Sequence, residues 1–451
     1  MNQGKAIPVV PGHFLLGCIP EFKKDALGFM KKAFDEHGGV VELRVGRSPL
    51  YLISDPDLVK QVMVDNKDIF VKVYDMNRRR GLALVMGNGL VNSKGPVWQR
   101  QRRMMQPMFH RKPIAAMAKE MADQGNKMIH HLQQQNMATV DMMTTMSDVT
   151  LNIISRTMFS DEFDNLHQLF KSHIDFLLAY SQANFFHPMP LPRWVPSAKN
   201  LRFNTAMHKI TAAIEEMIEA RRNNTSAAGD LLNVLLQAKD DETGEAMSTQ
   251  QIVDECFTIF GAGHETTATA LTWATYLIAT HPEVENRLSA ELEAVLQGKT
   301  PEAEDLENLP YTHAVLEETM RFFPSIVSLL RRLESDIDIN GYHFSKDAFS
   351  LVNIYNIHHH PDYWDDSETF RPERFLGSEK ASNNRYSYIP FGIGERVCIG
   401  NHFAMMEAMI LLVQLCQHFK FSYMGEKAPK PKLAISLRPQ GGMPIKLIAR
   451  P

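Results

Sequence analysis

Two kinds of periodicity divide the chain. Over residues 40–54 the run VVELRVGRSPLYLIS alternates apolar and polar positions on either side of a Gly-Arg-Ser-Pro turn, the pattern of a β-hairpin. The DPDLVKQVMVDN that follows reads as a helix starting beyond Asp55. Over residues 98–290 the period is 3.6, with Leu166, Leu169, Phe170, His173, Phe176 and Leu177 on one face and strand signals nearly absent. The segment FFHPMPLPRWVP, 185–196, holds four prolines, so it must be a loop between two helices, the second capped by Ser197. Such a loop is either a connection packed by its own side chains or a moving lid. After Pro301 come a helix ending near Phe323, short strands over 332–344, a proline-punctuated irregular stretch over 360–390, an apolar helix over 402–418 and a terminal β region. The polar breaks at 223–229 and 240–244 are too short to link domains. The expectation is a mainly α fold with a minor β part, one α-rich domain over residues 1–451, although length alone suggests about three.

Composition narrows the function. Apolar residues make up 44% of the 451 and charged residues 22%, as in folded soluble proteins. Lys plus Arg minus Asp plus Glu is 48 − 52 = −4, which gives no reason to expect nucleic acid as a partner. Pro8, Pro11, Gly12, Gly17 and Pro20 interrupt the N-terminus before an apolar run of membrane length can form, so neither a signal peptide nor a membrane span is expected. Four cysteines, Cys18, Cys256, Cys398 and Cys416, lie too far apart for CxxC motifs or a disulfide framework, which points to a reducing, cytoplasmic setting.

Cys398 stands out among them. Residues 390–400 read PFGIGERVCIG, and an apolar helix follows directly. Gly392, Gly394 and Gly400 permit positive φ and close backbone approach, placing Cys398 on a tight loop just before a helix N-terminus, where thiolate is favoured over thiol. Phe391 is placed to shield the sulfur. No second Cys or His lies at a chelating spacing, so zinc would lack its other ligands, whereas haem needs a single axial one.

Phe391-Gly-x-Gly-x-Arg-x-Cys398-x-Gly400 resembles the haem-ligand signature of the cytochrome P450 family. The resemblance implies Cys398 as thiolate ligand of haem b, with the haem between a long oxygen-activation helix and the helix after the cysteine loop. That oxygen-activation helix is found at 254–278, a continuous apolar stretch interrupted by Ala262-Gly-His-Glu-Thr-Thr267. Two glycines inside a helix forgo about 2 kcal/mol relative to alanine, and a buried carboxylate beside two hydroxyls adds desolvation cost. Gly263 is expected to let a flat cofactor and a small ligand approach; Glu265 and Thr266 hold water and relay protons, Thr266 through a hydrogen bond to oxygen. The family's peroxide users usually lack this acid–alcohol pair, so its presence favours reductive activation of dioxygen.

Further family motifs appear in order. Glu318 and Arg321, three residues apart on one helix face, match Glu-x-x-Arg, with Arg374 in FRPERF as third partner, a fold-locking network. Trp98 and Arg102, Arg396, and Arg331 match contacts to the haem propionates. The basic face of Arg100, Arg102 and Arg103 suits an acidic electron donor or simply solvent. His358, His359 and His360 point in different directions along the backbone and read as structure, not metal ligands; Arg78–Arg80 read as a solvated loop. The many methionines read mostly as core filler. By family position the substrate pocket draws on Leu82 through Met86, Phe185, Phe186, Ile259, Ala262, Ile326, Val327, Leu329 and Ile435, nearly all apolar. The implied activity is that of a haem-thiolate monooxygenase acting on a hydrophobic compound, a fatty acid, terpenoid or steroid with a tilt toward fatty acids, using dioxygen and electrons from a separate ferredoxin or flavodoxin with its NAD(P)H reductase, since no reductase domain is fused. A peroxide-driven oxygenase and a haem-binding sensor are the alternatives.

Overall fold

The alternating run becomes two antiparallel strands, Val40–Val45 and Ser48–Ile53, with Val40 opposite Ile53. Ser48–Ile53 continues in parallel with Phe349–Asn353, which pairs antiparallel with Ser328–Leu333; Phe70–Lys72 forms the far edge of this five-stranded sheet. The computed structural model describes residues 5–46, 48–73, 80–135, 139–159, 164–186, 190–223, 230–240, 242–377 and 384–450. Arg47 of the expected turn, Arg78, Arg79, residues 187–189 of the proline-rich loop, residues 224–229 and the side chain of Phe186 lie outside the described set.

The chain divides into two compact units. The first comprises Met1–Val73, Pro310–Cys398 and Lys427–Gly441. Its core is the five-stranded sheet, with Tyr51 and Phe70 meeting Phe344 edge to face at 5.0 and 6.0 Å. Helices Ile19–His37 and Pro310–Phe322 belong to it. The second unit comprises Tyr74–Leu309, Ile399–Glu426 and Gly442–Pro451. At its centre lies the helix Thr249–Thr280, packed most extensively on Met142–Phe159, where Phe260 stacks on Phe159 and on Phe170 of Asp164–Phe186. The helix Asn401–His418 packs on Arg111–Gln134, held by Gln414 Nε2 donating to Ala122 O at 2.9 Å. A three-stranded sheet of Thr139–Asp141, Pro444–Ala449 and Phe419–Tyr423 completes it.

Two departures from the sequence reading have local causes. Ile19–His37 starts inside the proline-broken leader with Cys18 as its N-cap, and Asp25, at φ −159° and ψ 87°, kinks it, so the pattern is split into two short runs. The long helix begins at Thr249, ahead of the expected Asp254. There Ser248 Oγ accepts from Gln251 N–H while the Gln251 side chain accepts from Ser248 N–H, a capping box lying before the apolar run begins. Among the described residues no helix is long and apolar enough to cross a membrane.

Candidate functional site

In the first unit, Gly392 and Gly394 adopt φ of +71° and +77°, a region closed to most side chains. A Cβ on Gly394 would lie 2.6 Å from Met63 O, so the loop is seated against the backbone. Cys398 N–H donates to Phe391 O at 2.9 Å and closes the turn, while Lys67 pairs with Glu395 at 2.7 Å. Gly400 corrects the expectation: its φ is −90°, it caps Asn401–His418, and an added Cβ would meet only Phe109 at an ordinary 3.9 Å. The four cysteines now separate. Cys18, Cys256 and Cys416 are buried, and desolvation pushes each thiol up, Cys416 to about 12. Cys398 alone is exposed.

Three cations converge in the same unit. Arg331 on Ser328–Leu333 stands opposite Lys72 in the antiparallel register, and Arg396 comes from the cysteine loop. Like charges directly opposite in a sheet are unfavourable. Burial, reinforced by Arg331 and Arg396, lowers Lys72 to about 7, although part of its side-chain area reaches the surface. Arg331 falls to about 10 through burial, and Arg396 to about 10 through burial and then Arg331. Among the described residues no carboxylate forms an ion pair with Lys72 or Arg331. Sequence reasoning missed Lys72; its signal is a cation inside the apolar run Ile69-Phe-Val-Lys72, resolved only by the strand register.

The second unit carries the long helix. From Ile252 to Thr275 every residue is buried except Ala262, Gly263 and Thr266, a short open stripe on one face. Thr266 Oγ1 donates to Ala262 O at 2.9 Å, and Glu265 is 2% exposed. The glycines have a packing cause that the sequence did not show: a Cβ on Gly263 would lie 2.7 Å from Ile154 Cδ1, and one on Gly261 2.5 Å from Met86 Cε. Gly263 therefore admits the helix Met142–Phe159, whatever else it admits. Glu407 was also missed. It is the lone acid of Asn401–His418, fully buried, with Thr267 as its polar neighbour; desolvation raises its carboxyl well above the usual range.

Trp98 and Arg102 share one face of Gly95–Met105, Trp98 buried and Arg102 partly so. Their basic neighbours are occupied internally: Arg100 pairs with Glu245, and Arg103 with Asp240 and Glu242 at 2.8 and 3.0 Å. The pocket residues fall into two sets. In the second unit, Ser181 Oγ donates to Gly81 O at 2.8 Å and Phe185 lies against Gly81, next to Leu82, while Ile259 and Ala262 lie on the long helix. In the first, Leu437 N–H donates to Ser325 O at 2.9 Å, bringing the turn of Ile435 beside Ile326 and Val327, and Leu329 sits by Gly392.

Glu318, Arg321 and Arg374 are brought together in the first unit. Arg321 donates to both Glu318 oxygens at 2.7 and 2.8 Å, and Arg374 Nε to one at 3.0 Å, with side chains at most 4% exposed. Each guanidinium also meets backbone carbonyls, Arg321 those of His358, Ser367 and Thr369. His358 Nε2 accepts from Ile389 N–H at 2.9 Å, and burial holds its imidazole neutral.

A family model described as Cytochrome P450 matches residues 7–447. The chain belongs to the cytochrome P450 family. It is 32% identical over 413 residues to the cyclooctat-9-en-7-ol 5-monooxygenase of Streptomyces melanosporofaciens, covering 90% of this chain and 87% of the relative. It is 33% identical to cyclooctatin synthase of the same organism, covering 92% and 89%. In fold it matches the cytochrome P450DA haem domain at a TM-score of 0.90 over 99% of this chain and 98% of the other, at 24% identity. This P450 is thus a haem-thiolate monooxygenase using cysteine-ligated haem b, and it inserts one atom of dioxygen into a hydrophobic organic substrate.

Proposed function

We propose that Cys398 would be the thiolate ligand of the haem, that Arg331, Arg396, Lys72, Trp98 and Arg102 would each serve its propionates, and that residues 1–451 work as one haem-thiolate domain. The observation that carries this reading is the contrast among the cysteines: one exposed sulfur, on a glycine turn three residues ahead of a helix, against three buried thiols. Lys72 and Arg331, which form no ion pair with a carboxylate among the described residues, and Arg396 of the same turn support a group carrying two carboxylates. Phe391 and Gly392 shape the turn's approach to it, and Gly400 starts the helix that follows.

Haem, when bound, supplies the reduction and splitting of dioxygen and the transfer of one oxygen atom. The chain's own residues do the rest. Thr266, on the open stripe, turns its hydroxyl from Ala262 O toward a bound water, and Glu265, one residue before it, feeds that water its proton. Leu82, Phe185, Ile259, Ala262, Ile326, Val327 and Ile435 exclude water and orient the substrate through shape. None of these is cationic, which supports a neutral apolar substrate over a carboxylate-bearing fatty acid. Electrons come from a separate protein, a ferredoxin or flavodoxin with its NAD(P)H-dependent reductase, in the cytoplasm.

Cys398→Ser is expected to abolish the thiolate-type spectrum of the reduced carbon monoxide complex; its retention refutes the ligand assignment. For substrate, the low-to-high-spin shift of the ferric protein should rank neutral apolar compounds, cyclooctat-9-en-7-ol among them, above fatty acids of equal size. Turnover driven equally well by peroxide, and indifferent to Thr266→Ala, would replace the reductive reading.

A further inference from the structure

We propose that Asp254 and Glu255 are specificity-determining positioning residues, which pin residues 87–90 across the pocket face of the long helix and so set how long a substrate fits along it. This deepens the monooxygenase reading and rests on it for the presence of a substrate. Glu255, Ile259, Ala262 and Thr266 are spaced four, three and four residues apart, so they share one face of Thr249–Thr280. Ala262 and Thr266 are half-buried, Ile259 is 8% exposed and Glu255 is fully buried. The open stripe therefore ends before Glu255, which stands about 10 Å along the axis from Ala262.

The cover is backbone. Leu90 N–H donates to Glu255 Oε2 at 2.9 Å, and Asn88 N–H to Asp254 Oδ2 at 2.8 Å. Only glycine fits between the two layers: a Cβ on Gly87 would run into the Asp254 carboxylate, and one on Gly89 into Thr258 Oγ1 and, at 2.6 Å, Asp254 O. The loop is held from its other side as well, Gln101 Nε2 donating to Asn88 O at 2.8 Å and Asn92 Nδ2 to Gly87 O at 3.2 Å. Its position passes on to the pocket wall: Gly89 N–H donates to Met86 O at 3.0 Å, and Met86, last residue of the turn Ala83–Met86, packs its methyl on Gly261, next to Ala262. Two acids in a buried helical run are costly unless they hold something. The stretch 83–93 has no charged side chain, so what they hold there is backbone N–H. Burial, opposed by the Leu90 N–H and reinforced by Asp254, pushes Glu255 up to about 8, and its Oε1 meets no polar group among the described residues. Glu255 thus acts as one neutral acceptor for Leu90, a part that glutamine can also play.

Hydrogen exchange of the haem-loaded protein reads the latch, and azole binding reads the pocket. Glu255→Met removes the acceptor at similar side-chain length; exchange over residues 87–93 should quicken roughly 10-fold, the worth of about one buried hydrogen bond. Glu255→Gln should exchange as the natural chain does. Azoles bind haem whatever the natural substrate, so their dissociation constants report the room above it. With Glu255→Met the long clotrimazole should bind several-fold tighter while imidazole is unchanged, and Glu255→Gln should restore the natural ratio. Gly89→Ala lifts the loop with both carboxylates in place and should reproduce both effects, which keeps the test open if Glu255→Met takes up no haem. Unchanged exchange in Glu255→Met and Gly89→Ala, quickened exchange with an unchanged clotrimazole-to-imidazole ratio, or a Glu255→Gln variant that behaves like Glu255→Met each overturns the proposal. Loss of the thiolate-type carbon monoxide spectrum from the natural chain would instead refute the monooxygenase reading, and exchange over 87–93 would still decide whether the two acids hold the loop.

Discussion

Arg321 and Arg374 lie at most 4% exposed around Glu318, whereas the equally buried Arg331 faces Lys72 and Arg396. The first cluster closes on itself: one carboxylate accepts from both guanidiniums, and carbonyls of His358, Ser367, Thr369, Asp365 and Asp366 take the remaining donors. In the second, no carboxylate forms an ion pair with Lys72 or Arg331 among the described residues; both arginines lower the proton affinity of Lys72, Arg331 lowers that of Arg396, and Glu395 nearby raises both arginines. A buried charge costs several kcal/mol unless compensated. In the first cluster the fold compensates it; in the second, on the reading proposed above, a bound anion would complete the compensation. Arginines of similar burial thus divide into those closed by a carboxylate of the fold and those we propose for the cofactor.

The largest effect should come from breaking the closed cluster. Glu318→Ala leaves two guanidiniums buried without their carboxylate and is expected to cost about 3–5 kcal/mol, lowering the unfolding midpoint of apo and haem-loaded protein alike. A loss confined to the loaded form would move Glu318 into the haem site. Arg331→Met sharpens the contrast from the other side. Removing one member of a repelling trio should leave apo stability unchanged or raised, while haem affinity drops roughly 10- to 100-fold, the worth of about 1.5–3 kcal/mol for a charge-assisted hydrogen bond. Haem transfer to apomyoglobin measures the affinity; an apo form destabilised as strongly as by Glu318→Ala would erase the distinction.

How much of this was legible in sequence follows the same division. Glu318 and Arg321 announce themselves by spacing, because i,i+3 neighbours share a helix face, and the Cys398 turn by its glycines, because positive φ leaves a compositional mark at Gly392 and Gly394. Ser197 as a cap and the hairpin at 40–53 are equally local. What local patterns could not carry is long-range pairing. Lys72 meets Arg331 only through a strand pair spanning 259 residues, the difference of their numbers. Gly263 was read as an opening for a cofactor, yet an added Cβ would meet the Ile154 side chain, on a helix more than a hundred residues earlier. Glu407 looked like one polar residue in an apolar helix until burial and Thr267 defined its surroundings. Ile19–His37 was missed for a local reason: Pro20 sits at its start and Asp25 kinks it, so its hydrophobic period is cut into two short runs.

The smallest effect tests the open cluster through protons. Lys72 has a folded pKa of about 7 against an ordinary 10.5, burial being the larger cause and the two arginines the smaller. Between those values the unfolded chain binds a proton that the folded chain does not, so stability of the apo protein should rise with pH on account of Lys72, by less than about 1.4 kcal/mol per pH unit. Below pH 7 both states are charged and this slope vanishes. Lys72→Met removes the titrating group, so apo melts between pH 7 and 9 should climb more steeply for the natural chain than for the variant. Propionates bound there, as proposed, would restore the ammonium's proton affinity, so in the loaded protein the two slopes should converge. Equal slopes in the apo pair would place Lys72 in solvent; slopes that still differ after loading would mean that the anions settle elsewhere, leaving Arg331 and Arg396 to hold them without it.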